Sequence, residues 1–298
     1  MPVSLADFLK AKFALDERSL NREVRGAFLD ALHSLPQIEC LDVGAGTCAT
    51  LRRLLNSGLT APLSLTALDR DPGLLDIARQ EAEGWLRALG LDPRIDAGAI
   101  RTQGERLTAI RFAVDEFKNH RPDRLYNVIT AHAFLDLAPL PQALQRFAAW
   151  LQPGGYLYAS LNYDGDTALA PVFEDAAVEA RLLGPYNHTM ERRRVDGQAT
   201  GGAYCGRRLH GLLPEYGFDV LVHGSSDWNI APVLGEYRDG DSVCLKALLE
   251  MIHGEGQRAG LFCQGQLDRW HDERLRLLQQ QRLELTIRQL DLLARYRP

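Results

Sequence analysis

Between residues 38 and 165, short apolar runs alternate with stretches of helical spacing, and this alternation restricts the fold more than any other feature. A run at 39–43 enters a turn containing Gly44 and Gly46. A helix over about 47–57 follows, carrying Leu51, Leu54 and Leu55 and closed by Gly58. Residues 63–71, "LSLTALDRD", predict a second strand ending in acid. Pro72 opens the next helix, where its missing N–H is not needed. Runs at 109–117, 124–137 and 155–165 predict three more strands, with a helix over 141–151 ahead of "LQPGG". Strands joined through helices pair in parallel and form a sheet covered on both faces. Such crossovers are right-handed, and ligands then sit outside the carboxyl ends of the strands.

The flanks divide the chain into three parts. Residues 1–37 predict a helical N-terminal cap, because Leu5, Phe8, Leu9 and Phe13, then Val24, Phe28 and Leu32, recur at three- and four-residue steps until Pro36. Residues 38–165 form the core. Residues 166–298 complete the sheet, with a helix over 168–183, a Gly-rich polar loop or insertion over 184–206, a short helix over 207–216 and a strand over 218–228. Helices follow near 241–254 and 264–280. Residues 283–294 fit either a helix or a strand. A strand at 283–290 is preferred, because Leu283, Leu285 and Ile287 alternate and a seventh strand would complete the sheet.

Composition narrows the partners. Of the 298 residues, 46% are hydrophobic and 24% charged, the balance of a soluble globular protein. A net charge of −5 argues against nucleic acid or an anionic membrane as partner. No apolar run approaches the ~20 residues that span a bilayer. The first 20 residues mix charges into their apolar positions, unlike a signal peptide. The five cysteines form no CxxC pair, so no metal is expected, and an odd count fits a reducing, cytoplasmic location.

The chemistry of the glycine turn depends on its acids. Gly44-x-Gly46-x-x-Ala49 has the spacing of a dinucleotide turn. Asp42, however, would repel a pyrophosphate and would welcome an ammonium. S-adenosylmethionine has an amino-acid end, a sulfonium and no phosphate. Asp69, at the end of the second strand, suits the two hydroxyls of a ribose, since a carboxylate accepts several hydrogen bonds. Capping of the following helix by Asp69 is the bland alternative. Asp115, near the end of the third strand, can meet an adenine amine or be a solvated loop acid.

Together "LDVGAGT", "LTALDRDPGLLDIAR", "VDEF", "YNVITAHAFLDL" and "LQPGGYLYASL" resemble, in order and spacing, the class I S-adenosylmethionine-dependent methyltransferases. The likeness covers about residues 38–165. It implies an α/β, doubly wound Rossmann-like sheet of seven strands, mostly parallel with the last reversed. It implies S-adenosylmethionine as cofactor and S-adenosylhomocysteine as product. Carried over by position, Asp42, Gly44, Ala45 and Gly46 would hold the methionine end. Asp69 and Arg70 would lie at the ribose, Asp115 and Glu116 at the adenine, and Ala131 and His132 beside the sulfonium. Cys48 departs from the pattern, which usually has a third glycine there.

Methyl transfer needs a base only if the acceptor must lose a proton. His132 and His188 are the candidates, although a lone histidine is more often a packed residue. No Asn/Asp-Pro-Pro-aromatic motif follows the fourth strand and no Pro-Cys pair occurs, which points to a small-molecule acceptor. Tyr163, Tyr186, His188, Arg192, Tyr204, Arg207 and Trp228 are expected to line its pocket. Their arginines suggest an anionic acceptor, unless "ERRR" at 191–194 is a solvated face. A homodimer is compatible with the sequence. The rival readings are an NAD-dependent oxidoreductase, and a non-catalytic protein of the same fold serving as a binding or scaffold subunit through its helices at 241–280.

Overall fold

The computed structural model describes residues 3–96, 98–103, 108–260 and 263–298. Three helices lead in: α1 (Leu5–Ala11), α2 (Phe13–Ser19) and α3 (Arg22–His33). The Ser4 hydroxyl caps α1 and the Asn21 side chain caps α3, each accepting from backbone N–H groups that a first turn leaves unpaired. The core then runs β1 (Ile38–Val43), α4 (Ala49–Leu55), β2 (Leu63–Asp69), α5 (Pro72–Ala88), β3 (Arg94–Asp96), β4 (Ala99–Arg101), β5 (Thr108–Val114), β6 (Tyr126–His132), α6 (Leu140–Trp150) and β7 (Leu151–Ala170). The second half contains α7 (Ala176–Arg192), the small hairpin β8 (Arg194–Val195) and β9 (Gln198–Ala199), α8 (Cys205–Leu212), β10 (Phe218–Ser225), β11 (Trp228–Ile230), α9 (Asp241–Ala259), α10 (Gln264–Gln279) and β12 (Glu284–Tyr296).

The main sheet is ordered β10-β12-β7-β6-β1-β2-β5-β4-β3, with β11 beside β12. From β5 to β7 neighbouring strands are parallel, as the βα alternation requires. The last strand, β12, inserts antiparallel between β7 and β10. The expected reversed final strand is therefore present, and it extends to Tyr296 rather than ending at 290. Leu292, Leu293 and Ala294 are buried in succession, so this half of the strand has no alternation to read.

Three differences from the sequence reading have physical causes. The sheet has ten strands among the described residues, not seven. The β3–β4 hairpin and β11 add three strands of three residues each, too short for a period to show. Residues 168–170 belong to β7, not to a helix. The strand is 20 residues long and bends where Leu161 and Gly165 take φ +54° and +85°. Residues 184–192 are helical, not loop. Gly184-Pro185 reads as a stop, yet α7 continues through it. Val178, Leu182, Tyr186 and Met190, at four-residue steps, pack into one core cluster with Leu245, Leu249 and Ile252 of α9.

Asp291 joins the two halves. Its carboxylate on β12 accepts from the backbone N–H of Leu161 at 2.7 Å and of Asn21 at 2.9 Å, linking β12 to β7 and to the start of α3. Replacing Asp291 by Ala leaves both donors without an acceptor. The expected loss is on the order of 3 kcal/mol in urea unfolding, since each stranded buried group costs about 1–3 kcal/mol. A loss within about 0.5 kcal/mol, the range of an inert surface change, would refute this bridging role.

Candidate functional site

A cleft of about 880 Å³ opens over the carboxyl ends of β1, β2, β5 and β6. The glycine turn forms one side of it. The N–H groups of Gly44 and Ala45 donate to the Leu68 carbonyl at 2.9 and 3.0 Å, and Gly46 N–H donates to Asp69 Oδ2 at 2.8 Å. Gly44 has φ +67°, and a Cβ there would lie 2.5 Å from Phe134 Cδ2. Only glycine satisfies both the dihedral and the close approach. Cys48 shows why a glycine is usual at its position: it caps α4 at φ +59° and ψ +43°. Its left-handed conformation costs an L-residue about 1–2 kcal/mol, and here the fully buried thiol packs in the core beside Leu51.

Asp42 lies beneath this turn, 1% exposed. It accepts from Thr130 Oγ1 at 2.7 Å and from the Thr50 hydroxyl. Burial pushes its carboxyl up to about 6 against those two hydrogen bonds. It makes no ion pair among the described residues. Asp69 stands at the tip of β2 with Oδ1 accepting from Asp71 N–H at 2.9 Å. Asp71, not Asp69, caps α5 through Gly73 and Leu74 N–H. A carboxylate has about four acceptor positions, so Asp69 retains two toward the cleft. Arg70, Asp115, Glu116 and Phe117 line the adjoining end. There Phe117 packs edge-on to Phe134 and Trp150, at 5.3 and 5.4 Å between centroids.

The other end is a chamber between α1, α2, α7, α9 and β12, with Phe8, Lys12, Asp16, His132, Tyr163, Tyr186, Trp228, Leu248 and Gln289 among its walls. Its floor is a buried polar network. Asp16 accepts from Lys12 Nζ at 2.5 Å, from Trp228 Nε1 at 3.1 Å and from His132 Nε2 at 3.1 Å. Burial alone would raise the Asp16 carboxyl. Lys12, His132 and Arg53 outweigh it and hold that carboxyl well below the usual range. A carboxylate only accepts, so His132 Nε2 carries the hydrogen and Nδ1 takes the Ser160 hydroxyl at 2.7 Å. The Arg53 guanidinium lies along the ring, 3.2 Å from each nitrogen, and pairs with Glu17. Burial and Arg53 together push His132 down to about 3. It is neutral at physiological pH, with both nitrogens engaged.

The sequence-predicted residues therefore separate. Asp42, Gly44, Ala45, Gly46, Asp69, Arg70, Asp115, Glu116 and His132 come together on one cleft, as do Tyr163, Tyr186 and Trp228. Ala131 is buried within the sheet, paired with Val43 and Ala159. His188 and Arg192 are exposed on α7, outside the lining. Arg207 forks onto Asp164 at 2.9 and 3.0 Å, and Tyr204 packs against Gly165 beneath it. Both stand off the cleft. Sequence reasoning missed Lys12, Asp16, Arg53, Phe117, Phe134, Asp136 and Gln289. Only Phe134 and Asp136, in the loop directly after β6, had a signal in their position. Among the described residues no three His, Cys, Asp or Glu are grouped to hold a metal ion, and no helix is long and apolar enough to cross a membrane.

No protein-family model matches the chain, and no curated protein matches it. Solved structures do. A candidate methyltransferase of Bacillus halodurans C-125 aligns with TM-score 0.52 and 13% identity, over 92% of this chain and 98% of that one. The YcgJ protein of Bacillus subtilis aligns with TM-score 0.50 and 11% identity, over 93% and 100%. An S-adenosylmethionine-dependent methyltransferase of Thiobacillus denitrificans, in complex with S-adenosyl-L-homocysteine, aligns with TM-score 0.48 and 13% identity over the whole of both chains. The first two likenesses show the fold alone: a Rossmann-like α/β sheet of mostly parallel strands, which in this chain has more than seven strands.

The buried neutral histidine predicts a pH effect on stability. In the unfolded chain His132 takes up a proton near 6.5, whereas in the folded chain it resists down to about 3. Its contribution is thus complete above pH 6.5 and is lost as pH falls, at up to about 1.4 kcal/mol per pH unit. Urea unfolding of the protein and of a His132→Gln variant isolates this contribution. The difference between the two should shrink steadily from pH 6.5 to 4. A pH-independent difference would contradict the assigned protonation state.

Proposed function

We propose that the protein is an S-adenosylmethionine-dependent methyltransferase acting on a small-molecule acceptor in the cytoplasm. The observation that carries the reading is the buried Asp42 carboxylate, in no ion pair among the described residues, beneath a glycine turn on the cleft that also receives Asp69. The donor set fits this cofactor. Asp42 and the turn at Gly44–Gly46 would hold its amino-acid end, Asp69 its ribose hydroxyls, and the slot of Asp115, Glu116, Phe117 and Phe134 its adenine. When bound, S-adenosylmethionine supplies a methyl group already activated on a sulfonium, so alignment and exclusion of water are the protein's main tasks.

The chain's own residues suit those tasks. Lys12, Asp16, Arg53 and His132 form a rigid floor whose hydrogen bonds are internal, and the helices α1, α2, α7 and α9 shield the chamber. His132 orients this floor; its low proton affinity and its two engaged nitrogens do not suit a base. An NAD-dependent oxidoreductase is disfavoured because a pyrophosphate at the turn would face the Asp42 carboxylate.

Isothermal titration calorimetry tests the reading. S-adenosylhomocysteine should bind and NADH should not. Asp69→Ala should weaken S-adenosylhomocysteine by about tenfold or more, the worth of hydrogen bonds to a charged acceptor. Unchanged affinity in that variant, or preference for NADH, would sink the proposal. Asp42 adds a pH signature. With its carboxyl pushed up to about 6, affinity for the ammonium-bearing ligand should hold above pH 6 and fall below it. Asp42→Asn should remove that dependence, and a flat wild-type profile from pH 7 to 5 would count against Asp42 as the ammonium's partner.

A further inference from the structure

In the chamber, among the described residues, neither the Asp136 carboxylate nor the Arg193 guanidinium forms an ion pair closer than 4 Å. Asp136 follows β6, lines the cleft and carries a buried Oδ1 with no hydrogen-bond partner. Arg193, at the C-terminal end of α7, lines the same cleft. It is near enough to favour the Asp136 carboxylate electrostatically but forms no salt bridge with it. The nearest other cation, Lys12, is committed to Asp16. The Tyr163 hydroxyl is likewise committed, to Asn187 and Thr167 at 2.6 and 2.9 Å. Gln289, 7% exposed, also faces the cleft with its Oε1 unpartnered. The surrounding wall is aromatic and apolar, from Tyr186, Trp228 and Ile287.

A buried charge is costly unless paired, and an unpaired cation and anion facing one cavity call for a ligand that brings both complements. We propose that the acceptor is a small zwitterion, an amine that also carries an anionic group, held with its amine at Asp136 and its anion at Arg193. This rests on the methyl-transfer reading and names the substrate class of that same site. Burial holds the Asp136 carboxyl up at about 6. Its Oδ1 can therefore take one proton from the bound ammonium, which frees the nitrogen lone pair for attack and leaves a neutral carboxylic acid. The exposed Arg192 and the Asp164-bound Arg207 take no part.

Three compounds of one skeleton serve as probes: phenylalanine, phenethylamine, which lacks the carboxylate, and 3-phenylpropionate, which lacks the amine. Calorimetry uses the full chain saturated with S-adenosylhomocysteine. Phenylalanine should bind about tenfold or more tighter than either single-charge analogue, the usual worth of one charge-assisted contact. Asp136→Asn should erase its advantage over 3-phenylpropionate, and Arg193→Gln its advantage over phenethylamine. Unchanged affinity of each variant for S-adenosylhomocysteine shows that it is folded. Equal or tighter binding of a single-charge analogue, binding of none of the three, or variants that leave the ranking intact would overturn the inference. Failure of S-adenosylhomocysteine itself to bind would overturn the methyl-transfer reading instead.

Discussion

Asp16 carries a buried negative charge where α2, α4, β6 and β11 meet, and much of the site depends on how that charge is satisfied. Lys12, Trp228 and His132 each donate to it, and Arg53 adds a second cationic contact at 3.9 Å. Removal of any one donor would leave this buried carboxylate less fully compensated, a damaging kind of buried polar loss. The network therefore fixes the N-terminal helices over the sheet. It also sets the tautomer of His132 and gives the chamber a floor whose charges are paired within it. The reactive edges of the chamber are elsewhere, at Asp136, Arg193 and Gln289.

Much of the framework was legible from sequence. Gly44 could be read because a positive φ and the close approach of Phe134 leave no alternative to glycine. Strands β1, β2 and β6 could be read because parallel strands buried on both faces are nearly continuous apolar runs. Asp42 and Asp69 could be read because the strand ends fix where acids reach the cleft. The floor of the chamber could not. Asp16 meets His132 across 116 positions of sequence and Trp228 across 212, and no local pattern records such pairs. The continuation of α7 past Gly184-Pro185 was equally hidden, because packing against α9 overrides a local breaker. Arginines in "ERRR" and at Arg207 looked alike in sequence. Only the fold separates Arg193, which faces the cleft, from Arg207, which is used up by Asp164.

Cys48 links the two levels. Its thiol is buried, yet its backbone keeps the left-handed conformation that a glycine would adopt at lower cost. The turn is thus held by its surroundings, the Leu68 carbonyl on one side and Asp69 on the other, rather than by the intrinsic preference of every residue in it. Strain retained beside a binding cleft is consistent with a turn whose shape matters more than its local stability.

The most direct test of the central claim is a crystal structure of the protein grown with S-adenosylhomocysteine. The account predicts the amino-acid end of the ligand at the Gly44–Gly46 turn above Asp42, both ribose hydroxyls on Asp69, and the sulfur facing the chamber floored by His132. A ligand bound in the opposite direction, or outside this cleft, would contradict it.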